Sequence, residues 1–64
     1  MTSDTVTLAL SLTEQEAWDF AQFLKRAGFS DYRSNAADQD EAYRMLHVGE
    51  KVRGALAEVG IDPR

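Results

Sequence analysis

The sequence predicts a mostly helical α+β domain, and three observations carry that prediction. Residues 5–12 alternate strictly between apolar and polar, residues 13–28 spell a helix with both ends marked, and an apolar stripe at spacings of 3 and 4 runs from residue 42 to residue 59. At 64 residues the chain is read as a single small globular domain. A core of that size supplies only about 3–5 kcal/mol of net stability. With no cysteine to staple it, the fold must rely on caps, helix packing or a partner chain.

The first element expected is a strand. After a polar tail at residues 1–4, expected to fray, Val6, Leu8, Leu10 and Leu12 fall on one face of 5–12, and Thr5, Thr7, Ala9 and Ser11 fall on the other. A second strand is not visible in the sequence, so its backbone donors and acceptors lack an internal ladder. Either two copies of 5–12 pair in a homodimer, or the segment docks in extended form without a ladder.

The helix at 13–28 follows at once. Thr13 and Glu16 stand at the spacing of a capping box, in which hydroxyl and carboxylate each accept from the other residue's amide. Gly28 is expected to end it in the left-handed conformation, folding Phe29 back on the last turn. Ala17, Phe20, Ala21, Leu24 and Ala27 are expected to face inward, with Trp18 and Phe23 flanking them.

Residues 30–35 suit a turn or a short helix started by Ser30. A helix over 38–59 then opens at Asp38, and Ala42, Met45, Gly49, Val52, Leu56 and Val59 form its stripe. Gly60 closes it, Ile61 folds back and Pro63 prevents continuation. Gly49 and Gly54 each cost such a helix about 1 kcal/mol relative to Ala. Gly49 lies on the stripe, which predicts a close crossing there with an aromatic of the first helix. A helix break at Gly49 is the alternative.

Charge and residue types exclude several functions. The net charge is −4, and residues 1–24 account for all of it, holding Asp4, Glu14, Glu16 and Asp19 with neither Lys nor Arg. Direct nucleic-acid binding is not expected, because it requires clustered basic residues. The chain has neither the pattern of a signal peptide nor an apolar run long enough to span a bilayer, so a cytoplasmic protein is expected. His47 stands alone, the glycines do not form a phosphate loop, and the serines lack an evident base. Metal, cofactor and catalytic residues are therefore expected to be absent, and the protein is expected not to be an enzyme.

What remains is an acidic surface. Glu14, Glu16 and Asp19 lie early in the first helix, Asp31 and Tyr32 in the connector, and Asp38, Asp40 and Glu41 at the start of the last helix. Carboxylates at helix starts are stabilised by the helix dipole, so these eight residues serve as caps on one reading. On the other they form a binding face for a protein with a basic surface.

The strings Leu-Thr-Glu-Gln-Glu-Ala-Trp at 12–18, Ala-Gln-Phe-Leu-Lys-Arg-Ala-Gly-Phe-Ser-Asp-Tyr-Arg at 21–33, Asp-Glu-Ala-Tyr at 40–43 and Gly-Glu-Lys-Val-Arg from 49 resemble a family of small uncharacterised proteins of proteobacteria and their mobile elements. In size and acidity the chain also resembles phage- or plasmid-borne anti-CRISPR proteins that inhibit a type I effector, with subtype I-C as the narrower match. That resemblance implies an inhibitor acting as a DNA mimic on a basic groove of a CRISPR effector subunit in the host cell. The alternative is a dimeric, antitoxin-like accessory or regulatory protein of a mobile element.

Overall fold

The computed structural model describes residues 4–64, which form three helices: α1 (Glu14–Arg26), α2 (Phe29–Ser34) and α3 (Gln39–Glu58). There is no strand or sheet among the described residues, so the chain is all-α and the expected α+β class is corrected. The reason is physical. Alternation marks which side of a segment is apolar, whereas a strand exists only with a ladder partner, and none lies among the described residues. Residues 5–12 run exposed along their whole length. Of the tail at 1–4, residues 1–3 lie outside the described residues.

Local capping sets the ends of the helices. Before α1, the Thr13 amide donates to Glu16 Oε1 at 2.9 Å and the Glu16 amide to Thr13 Oγ1 at 3.1 Å, a complete capping box. After α3, the Gly60 amide donates to the Ala57 carbonyl at 3.0 Å and the Ile61 amide to the Leu56 carbonyl at 2.9 Å. With Gly60 at φ 93° and Ile61 packed on the core, this is a Schellman closure. Gly28 behaves otherwise. Its φ of −101° and ψ of 177° are extended, and it starts α2 instead of closing α1 in a left-handed turn.

Both α1 and α2 pack against α3. Where α2 meets α3, the hydroxyl end of Tyr32 lies against Gly49, and a methyl group placed on Gly49 would overlap the Tyr32 hydroxyl and come within 3.1 Å of Tyr32 Cζ. The aromatic that requires the glycine thus comes from α2, not from the first helix, and α3 continues unbroken through it. Beside this contact Phe29 and Tyr43 meet at 4.7 Å between ring centroids.

The resulting body is flat, with extents of 33 × 31 × 15 Å. The thinnest dimension is that of helices laid against one another, as α1 and α2 are against α3, with axes about 8–10 Å apart. The radius of gyration is 13.2 Å, against roughly 11 Å for a compact chain of this length. The buried apolar residues are Ala17, Ala21 and Leu24 of α1 with Ala42 and Leu56 of α3. Phe20, Val52 and Val59, expected inside, are 45%, 37% and 75% exposed. With only α3 packed against it, α1 buries one strip of its apolar stripe and leaves the rest uncovered.

Candidate functional site

Five of the uncovered apolar residues meet in one groove. Leu10, Leu12, Phe20, Phe23 and Val52 line a groove of about 550 Å³, with the carboxylates of Glu16 and Asp19 also on its wall. Phe20 and Phe23 stack at 5.6 Å between centroids, which keeps both rings on the same flank of α1. On α3, Val59 projects within about 20° of Val52 at 3.6 residues per turn, extending the patch along the helix. Val6 and Leu8 continue the alternation of Leu10 and Leu12 and are 84% and 82% exposed. Single exposed apolar side chains are ordinary, but a contiguous patch of this extent marks an interaction surface.

Most of the eight carboxylate and tyrosine candidates have local work. Glu16 completes the Thr13 box, Asp31 Oδ2 accepts from the Gly28 amide at 2.8 Å, and Asp38 Oδ1 accepts from the Glu41 amide at 2.8 Å. Glu41 Oε1 accepts in turn from the Ala37 amide at 2.6 Å, and Asp19 Oδ1 from the Gln15 side chain at 2.8 Å. Tyr32 is half-buried over Gly49. Glu14 and Asp40 are exposed in the first turns of α1 and α3, where the helix dipole favours them.

The fold gathers Asp19, Asp31 and Tyr32 around a second groove of about 610 Å³, shared with Phe23, Arg26 and Asn35. Glu41 lies on a separate shallow surface with Arg44, Met45 and Val48. The eight candidates therefore do not form one acidic face. His47 is exposed, and among the described residues there is no group of three or more metal-ligating side chains. Sequence reasoning passed over Phe20, Phe23, Val52 and Val59 as site residues. The signal for Phe20 and Phe23 was present in the width of the apolar stripe of α1, which exceeds what its one neighbouring helix covers.

The described residues define a small all-α domain with an open apolar groove. Residues 1–64 match a family of unknown function, DUF7706, and the chain belongs to it. No curated protein and no solved structure matches the chain. Among the described residues, no helix is long and apolar enough to cross a membrane.

Proposed function

We propose that the protein is a non-enzymatic, cytoplasmic protein-binding module whose working surface is the apolar side of α1, α3 and residues 5–12. The observation that supports this reading is the groove where Leu10, Phe20, Phe23 and Val52 stand exposed together on a domain 15 Å thick. Of the two roles the sequence suggests, a dimeric accessory or regulatory protein of a mobile element draws on this surface directly. An anti-CRISPR inhibitor that mimics DNA on a basic effector surface draws on the carboxylates. Glu16, Asp31, Asp38 and Glu41 are already engaged by backbone amides, which favours the first role.

A comparison of two variants separates these surfaces. Phe20→Glu with Phe23→Glu places charge in the groove at positions already exposed, so the helices should survive while proteins that co-purify with the tagged wild type are lost. Reversal of Asp38, Asp40 and Glu41 to Lys should lower stability through the lost cap and the helix dipole but leave those associations in place. Loss of association on the carboxylate reversal alone would overturn the reading.

A further inference from the structure

Building on the reading of the apolar side as a binding surface, we infer that its occupant is a second copy of this chain, seated so that the two 5–12 segments pair antiparallel about a two-fold axis at Ala9. The chain itself stays all-α, and the ladder belongs to the assembly alone.

Three observations lead there. The first is cover: among the described residues α1 packs against α3 alone, and Phe20, Phe23 and Val52 stand exposed around the groove. A second copy supplies the missing cover.

The second is area. Val6, Leu8, Leu10 and Leu12, together with Phe20, Phe23, Val52 and Val59, range from 37% to 84% exposed. At roughly 150–200 Å² for each when fully exposed, they leave on the order of 900 Å² uncovered per chain. A standard stable interface takes roughly 800 Å² from each partner. Lesser contacts do not need so much.

The third observation is self-complementarity, which fixes the register. Residues directly opposite in an antiparallel pair lie on the same face, so apolar must meet apolar. With the axis at Ala9, Val6 stands opposite Leu12 of the second copy and Leu8 opposite its Leu10, which uses all four apolar residues. On the other face Thr7 meets Ser11, a pair able to hydrogen-bond, and the small Ala9 meets itself. Moving the axis to Leu8 sets Leu12 against Asp4, and moving it to Leu10 sets Val6 against Glu14, which already belongs to α1. Shifts that place the axis between residues oppose Val6 and the leucines to Thr, Ser or the small Ala9. Only the Ala9 register is clean.

The test uses the absence of cysteine from the chain. In the inferred register the two Cα atoms at position 9 lie about 4.5–5.5 Å apart, inside the usual disulfide range. At position 5 they lie roughly 26 Å apart, eight residues of strand. Full-length Ala9→Cys should therefore oxidise to a covalent dimer at least about tenfold faster than Thr5→Cys, and both positions are exposed, so neither substitution threatens the fold. Light scattering should show wild type reaching twice its 7.1 kDa monomer mass with rising concentration. Leu10→Asp should keep the helices and hold the monomer.

Equal cross-linking at positions 5 and 9 would overturn the register. A monomer at every concentration, with the Phe20→Glu/Phe23→Glu variant still losing its co-purifying proteins, would overturn the second copy as occupant and leave the binding-module reading standing. A monomer whose groove variants change nothing would overturn both.

Discussion

Two glycines of α3 show how far a single methyl group depends on what lies beside it. At Gly54 an added Cβ meets nothing within 4 Å, so Gly54→Ala should raise stability by up to about 1 kcal/mol through helix propensity alone. At Gly49 the same methyl runs into the Tyr32 ring. Overpacking of this kind costs about 1–3 kcal/mol, which outweighs the propensity gain, so Gly49→Ala should be destabilising in urea denaturation. The Tyr32→Ala background should remove most of that penalty, because the clash and not the helix is its cause. A stabilising Gly49→Ala in the wild type would mean that Tyr32 does not pack there. Thr13 belongs to the same scale: Thr13→Ala removes one arm of a formed capping box and should lower stability by about 0.5–2 kcal/mol.

At the scale of elements, what was legible in the sequence followed the range of the interaction that sets it. The Thr13–Glu16 box, the Asp38 cap and the Gly60 closure are decided within a few residues, and α1 and α3 begin or end at them. Gly28 was misread because a glycine can close one helix or open the next, and the Asp31 carboxylate that engages its amide makes it the start of α2. The segment 5–12 was misread as a strand of the chain itself, since its alternation describes a face and a ladder needs a partner elsewhere. The candidate site divided in the same way. The carboxylates were visible as residues, but their engagement with nearby amides became plain only from the hydrogen bonds. The exposure of Phe20 and Phe23 depends on what lies across from α1, which no helical period encodes. Substituting Gly60, whose φ of 93° a side chain rarely adopts, should test the one left-handed closure: Gly60→Ala should cost about 1–2 kcal/mol in thermal unfolding.

At the scale of the whole molecule, a domain with a net charge of −4 and an open apolar groove is subject to two opposed forces. Burial of apolar surface draws copies together, while Asp4, Glu14, Glu16 and Asp19, which precede or begin α1, repel their counterparts on the second copy. That repulsion keeps an exposed apolar segment from unlimited edge-to-edge association, as charged residues on sheet edges commonly do. It also gives the assembly a salt dependence of known sign. Screening shortens from about 30 Å at 0.01 M salt to about 3 Å at 1 M, so salt weakens the repulsion and leaves apolar burial intact. Attraction between an acidic surface and a basic partner would respond in the opposite direction. The most direct measurement is therefore the molar mass of the wild-type chain by light scattering, taken over a concentration series at low and at high salt. A concentration-dependent rise from 7.1 kDa to twice that mass, with the midpoint moving to lower concentration as salt increases, is the predicted result. A constant 7.1 kDa at every concentration and salt would contradict the account.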